Sequence, residues 1–188
     1  DDFDGIRELP SSTSSSSSGD AGGETDTNER STQMPSLQDH LRAQLSGMRL
    51  AAQDAAAVMV LIESLTDDGY LDGTLEDIAE RVSDSLSITG VEAREDLLDQ
   101  LRCGLKWLQS LEPAGVGAAD LGDCLALQLR HCAAGPARTC ALAICAGHLP
   151  LLARRDLKKL AAATGTDEAT VKAAQALIVA CEPKPGRP

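Results

Sequence analysis

The stretch W-L-Q-S-L-E-P-A-G-V-G-A-A-D-L, from Trp107 to Leu121, decides how the rest of the chain is read. A long helical pattern leads into it, and a second one starts directly after it. Between them Pro113, Gly115 and Gly117 break the pattern within five residues. Proline fixes its own φ, lacks an N–H and pushes the residue before it out of the helical region. Glycine reaches backbone conformations closed to other residues. Two glycines flanking Val116 therefore describe a shaped joint with an apolar plug. An ordinary turn between two helices would leave the same punctuation.

Toward the N-terminus, Val91, Leu97, Leu98, Leu101, Leu105 and Leu108 recur at helical spacing and predict a helix from about Gly90 to Leu111. Trp107 and Leu111 sit one turn apart at its end, beside the joint. Further back, Thr74 is an N-cap residue, with Glu76 and Asp77 suited to the positive end of a helix dipole. Leu75, Ile78, Ala79 and Val82 form the inward face of that helix. Asp67-Asp68-Gly69 then reads as a turn before Tyr70 and Leu71. Two adjacent carboxylates also suit acid–base or metal chemistry, but no third ligand or histidine lies nearby in sequence. A helix from about Ala51 to Leu65 carries Val58, Leu61, Ile62 and Leu65. Order begins at Ser36, a cap residue, with Leu37, Leu41 and Leu45 following and Gly47 ending the helix.

Residues 1–35 are Ser, Gly, Thr and acidic residues, with five consecutive serines from Ser14 to Ser18. Such a segment buries too little apolar surface to offset its ordering entropy, so a disordered acidic linker is expected.

Toward the C-terminus, Asp120 caps a helix running to about His131, with Leu121, Leu125 and Leu129 at intervals of four. Gly135-Pro136 is a break, and the next helix covers about Ala137 to His148. Pro150 interrupts or restarts it. Leu157 and Leu160 lie in a short helix ending at Gly165, and Thr166 caps a last helix holding Val171, Ala174, Leu177 and Ile178. Arg154, Arg155, Lys158 and Lys159 form two i, i+4 pairs on adjacent helix rows and make one basic patch. That patch is either a solvated face or a contact for an acidic surface or for phosphates. T-G-T-D-E-A-T-V has the pattern of a helix–turn–helix junction, an arrangement that also occurs in bundles that touch no DNA.

Net charge is −12 over 188 residues and is uneven. Residues 1–35 carry 8 acidic and 2 basic side chains, residues 36–113 carry 15 and 6, and residues 114–188 carry 6 and 9. An acidic first two-thirds is unsuited to holding a phosphate backbone and suits partners with basic surfaces. Phe3, Tyr70 and Trp107 are the only aromatics, too few for a base-stacking platform. The six cysteines, at 103, 124, 132, 140, 145 and 181, include no C-x-x-C pair. They read as reduced, buried small hydrophobes of a cytoplasmic protein. His131 beside Cys132 invites a zinc reading, but the spacing fits no familiar finger. No apolar run approaches the ~20 residues that span a bilayer. The chain begins with Asp1 rather than Met, as a piece of a longer protein would.

The expected architecture is all-α. A disordered acidic tail, 1–35, precedes two packed helical bundle subdomains, 36–112 and 113–188, hinged at the Pro/Gly joint. No nucleophile–base pair, Gly-rich phosphate loop or metal-ligand set is present. The residues favour a docking module over an enzyme, with no cofactor, metal or small-molecule substrate.

L-E-P-A-G-V-G-A resembles the signature joint in the core-binding region of sigma-54 (sigma-N) transcription initiation factors. Three more stretches fit that family in order: Leu37 to Leu45 (L-Q-D-H-L-R-A-Q-L), Leu61 to Leu71 (L-I-E-S-L-T-D-D-G-Y-L) and Glu182 to Gly186 (E-P-K-P-G). The resemblance covers residues 36–188. Ala119 departs from it, standing where the family usually has Arg. The resemblance implies docking on bacterial core RNA polymerase, with the beta-subunit flap among the contacts. Promoter DNA would be reached only through the full-length factor. Candidate residues for the joint or for polymerase contact are Asp68, Gly69, Tyr70, Trp107, Leu111, Pro113, Gly115, Val116, Gly117 and Asp120. The alternative is a helix–turn–helix-type DNA-binding regulator that uses the helices after Pro150.

Overall fold

Five polar side chains open helices by the same device. Ser36, Thr74, Asp120, Asp156 and Asp167 each accept a hydrogen bond from the backbone N–H three residues on. Each satisfies a donor that the first helical turn leaves free. At Thr74 the bond is reciprocal, because the Asp77 carboxylate accepts the Thr74 N–H.

The computed structural model describes residues 33–187. The expected linker 1–35 therefore lies almost wholly outside the described residues. Among them the helices are α1 (Leu37–Ser46), α2 (Ala52–Glu63), α3 (Leu75–Ser85), α4 (Val91–Gln109), α5 (Leu121–Leu129), α6 (Pro136–Gly147), α7 (Leu149–Ala153), α8 (Leu157–Thr164) and α9 (Glu168–Val179). The fold is all-α. The only extended pairings among the described residues are two isolated bridges, Leu65 with Leu71 and Tyr70 with Ala118.

α1 to α4 enclose the first apolar core, built on Leu41, Leu61, Ile62, Ile78, Leu101 and Leu108. Each large side chain taken fully out of water contributes roughly 1.5–3 kcal/mol. α4 lies along both α2 and α3. It approaches α2 closely because Gly104 has no side chain; a Cβ there would stand 2.9 Å from Ala57 Cβ. The second core joins α5, α6, α8 and α9 through Leu129, Ala141, Ile144, Leu160, Val171 and Ala174. Its close approach is at Gly122, where a Cβ would stand 2.6 Å from the Cys145 carbonyl oxygen. Ala118, Cys124 and Leu127 form a small third cluster, with Tyr70 packed on it. Met34–Pro188 forms one contiguous unit.

Several expectations need correction. Asp167, not Thr166, caps α9; the Thr166 hydroxyl lies 2.9 Å from that of Thr164 instead. An Asp carboxylate competes well for the free N–H groups, so the helix starts one residue later. Val91 and Leu121 do not face inward and are 72% and 44% exposed. Both stand at the first position of a helix, before the apolar stripe meets a neighbour. All six cysteines are free, but only Cys124, Cys140 and Cys145 are buried; Cys103 is exposed and the other two are half-buried. The basic residues do not share one helix. α7 ends at Ala153, Arg155 takes φ 55°, and Asp156 caps α8, so Arg154 and Arg155 are separated from Lys158 and Lys159 by a break.

Candidate functional site

Glycine and proline shape the joint first. The peptide before Pro113 is cis, and Gly115 and Gly117 take φ values of 95° and 78°. That region is open to glycine and strained for other residues. Residues 115–118 are buried, and Val116 is fully enclosed in the first core. A Cβ on Gly115 would stand 2.9 Å from Cys124 Sγ and 3.2 Å from the Cys124 carbonyl oxygen. On Gly117 it would stand 3.0 Å from Leu108 Cδ2.

The Asp67-Asp68-Gly69 turn sits against this joint. Gly69, at φ 95°, accepts the Gly117 N–H at 2.9 Å, and Leu71 N–H donates to Ala118 at 2.9 Å. The C-terminal stretch closes the other side. Gly186 N–H donates to the Asp68 carbonyl at 3.0 Å, and the Tyr70 hydroxyl donates to the Pro183 carbonyl. A Cβ on Gly186 would come within 2.9 Å of the backbone at Asp68 and Gly69. The charges agree with this arrangement: Arg187 Nε lies 2.9 Å and Lys184 Nζ 3.6 Å from the Asp68 carboxylate, and Arg187 reaches Asp67 at 3.3 Å.

Glutamines that sequence reasoning passed over hold these strands of chain in place. Gln128 donates to the Glu182 carbonyl at 2.6 Å and accepts the Glu182 N–H at 2.8 Å. Gln44 accepts the Glu112 N–H at 2.9 Å and donates to the Glu112 carbonyl. Gln109 donates to the Gly117 carbonyl at 3.1 Å. A side-chain amide offers a donor and an acceptor together, so it can satisfy a backbone N–H and C=O that no regular element pairs. Gln44 stands within the L-Q-D-H-L-R-A-Q-L stretch, which was its one signal; a lone Gln128 on an apolar helix carried none.

Burial pushes the Tyr70 phenol up to about 12, with Cys124, Asp68 and Asp120 adding to it. Burial also raises the Cys124 thiol. Of the other candidates, Leu111 is buried, Asp120 caps α5, and Trp107 is 41% exposed near the end of α4. Pro113 lines a cleft of about 590 Å3 with Pro35, Leu37, Ala114, Gln128 and Pro185. Arg154 and Arg155 follow α7, Lys158 and Lys159 stand on α8, and all four are exposed. Among the described residues no three His, Cys, Asp or Glu side chains converge as a metal site. No described helix is long and apolar enough to cross a membrane.

A helical module whose remote stretches are locked around one buried joint, with an apolar cleft beside it, has the character of a recognition platform. Residues 26–188 match the family described as sigma-54 factor, core binding domain, and the chain belongs to that family. It is 35% identical over 163 residues to the RNA polymerase sigma-54 factor of Acidithiobacillus ferridurans, covering 86% of this chain and 32% of that protein. It is 34% identical over 164 residues to the same factor of Pseudomonas putida, covering 87% and 31%. With that of Escherichia coli K12 the figures are 34% over 152 residues, 80% and 30%. The chain thus spans about a third of the length of these relatives. The match runs through α7, α8 and α9, so the helices after Pro150 belong to the same domain as the joint.

Proposed function

We propose that this chain is the docking region through which a sigma-54-type transcription initiation factor seats on bacterial core RNA polymerase, in the cytoplasm. The observation that carries the reading is membership of a core-binding family with all four motif stretches present in order. Docking needs a large shaped surface with buried anchors, which two packed layers of Leu- and Ala-rich helices offer. The beta-subunit flap is the partner surface we assign to the face around the joint, with exposed Trp107 as an anchor. The two subdomains, 36–112 and 113–188, meet at that face, with the Pro113 to Gly117 stretch as their hinge. The cations at 154, 155, 158 and 159 add a contact to an acidic polymerase surface or to promoter phosphates. Reading a promoter is a separate act that needs side chains in a groove and neutralised phosphates. The acidic α1–α4 half opposes it, so promoter DNA is reached through the full-length factor. The chain acts as a binding module and not as an enzyme.

The test is competition with an intact sigma-54 factor for core polymerase, paired with a gel shift on that factor's promoter. The chain displaces the factor, starts no transcription and shows no specific promoter binding alone. Failure to compete, or specific promoter binding without polymerase, overturns the proposal.

A further inference from the structure

The α3–α4 hairpin holds a second recess. It is a groove of about 360 Å3 with Ala79, Ser83 and Leu98 among its lining residues and Val91 on one wall. Val91 is 72% exposed, and Leu86, in the loop between the helices, is 67% exposed. Val91 and Trp107 are 16 residues apart on α4. At a rise of roughly 1.5 Å per residue, Val91 lies about 24 Å along that helix from Trp107.

The groove has a buried serine in its lining and a sign on its rim. Ser83 is 1% exposed, and its hydroxyl has no hydrogen-bond partner among the described residues. A buried hydroxyl left without a partner is destabilising, and few native structures keep one without a reason. The rim is acidic. Glu80 and Glu95 line it, and neither has an ion-pair partner among the described residues. Glu76 also lines it, 3.7 Å from Arg102. The groove's one lining cation, Arg94, donates its Nε–H to the Ile88 carbonyl at 3.2 Å. Residues 74–102 carry 8 acidic and 3 basic side chains, a net charge of −5.

We propose that this groove binds a basic amphipathic helix of a partner protein. The partner's apolar stripe lies on Val91 and Leu98, and its Lys and Arg side chains lie over Glu80 and Glu95. Apolar anchors at helical spacing supply the affinity of such docking, and complementary charge sets orientation and on-rate. α3 has 11 residues, enough to line about three turns of a docked helix. The same charge argues against the other occupants. A second copy of this chain would bring an identical acidic rim against this one, and nucleic acid would bring phosphates. The groove shares no lining residue with the cleft at Pro113.

The probe is a fluorescein-labelled 15-residue helix with Leu at i, i+3, i+4 and i+7 spacing and Lys elsewhere. It is titrated with the 188-residue chain at moderate salt and followed by anisotropy. Saturable one-to-one binding is expected, and a Glu-for-Lys analogue does not bind. Val91→Asp weakens binding at least tenfold. Glu80→Lys weakens it about fivefold and flattens its salt dependence, whereas Glu168→Lys on α9, the same charge change elsewhere, leaves it unchanged. Both groove positions are exposed, so thermal melts of the variants match the parent; if Val91→Asp melts early, Glu80→Lys alone decides. Absence of binding, or equal weakening by Glu80→Lys and Glu168→Lys, overturns the proposal. So does a dimer in sedimentation that Val91→Asp dissolves, since a second copy is then the occupant.

Discussion

The joint and the basic segment between α7 and α8 are both short and both stand out in the sequence, yet folding treats them differently. At the joint three remote stretches close on one another, and residues 115–118 are buried under them. In the basic segment all four cations stay exposed, and Lys159 pairs with Asp156, the cap of its own helix, at 3.5 Å. The contrast lies in what each signal depends on. A glycine between two helices constrains its own backbone whatever surrounds it. A row of i, i+4 cations exists only if the helix is continuous, and here it is not. Arg155 leaves the helical region, Asp156 caps a new helix, and the break lets Leu151 and Leu152 before it and Leu157 after it all reach the second core.

The largest expected effect tests the closed half of that contrast. Gly115→Val puts a branched side chain at φ 95° against Cys124 and should cost about 2–3 kcal/mol in urea denaturation. Gly165→Ala sharpens the point. Gly165 also has a positive φ, 66°, but no atom within 4 Å of a Cβ, so conformational strain alone should cost about 1 kcal/mol. Equal losses at the two sites would mean that contacts at the joint contribute nothing.

Tyr70 offers a second measurement, because it is the chain's single tyrosine. Its phenol is held up at about 12 in the folded chain, against roughly 10 when unfolded. A raised folded value favours the neutral form, so the stability it contributes is fully present below pH 10. That stability is lost as pH rises toward 12. Tyrosinate absorbance should therefore rise more than one pH unit later in the native protein than in urea. A native midpoint near that of the denatured chain would mean that Tyr70 is not locked into the joint.

The smallest stability effect belongs to the open half. Changing Arg154, Arg155, Lys158 and Lys159 together to Glu should alter stability by less than about 1 kcal/mol, since exposed charges contribute little. Under the proposed function it should still weaken polymerase binding and flatten its salt dependence. A large loss of stability would place these cations in the packing after all.

By itself the sequence determined the all-α class, the caps at Ser36, Thr74 and Asp120, the stop at Gly47 and the special backbone at Gly115 and Gly117. Each depends on one or two turns of chain, where side-chain type and backbone preference act directly. The order of four stretches also carried the family, because motif order is a property of the chain and not of its folding. Tertiary structure alone decided that Asp67 to Leu71, the joint and Glu182 to Gly186 meet, with glutamines from α1, α4 and α5 holding their backbones. Gln128 and Glu182 are 54 residues apart, and nothing local tells an amide on a helix face which carbonyl it will find. The same holds for Gly104 and Gly122: glycine is unfavourable inside a helix, and only the close neighbour across the packing calls for it. Val91 is the reverse case: an apolar residue at the right spacing faces water, because burial depends on where the partner helix ends.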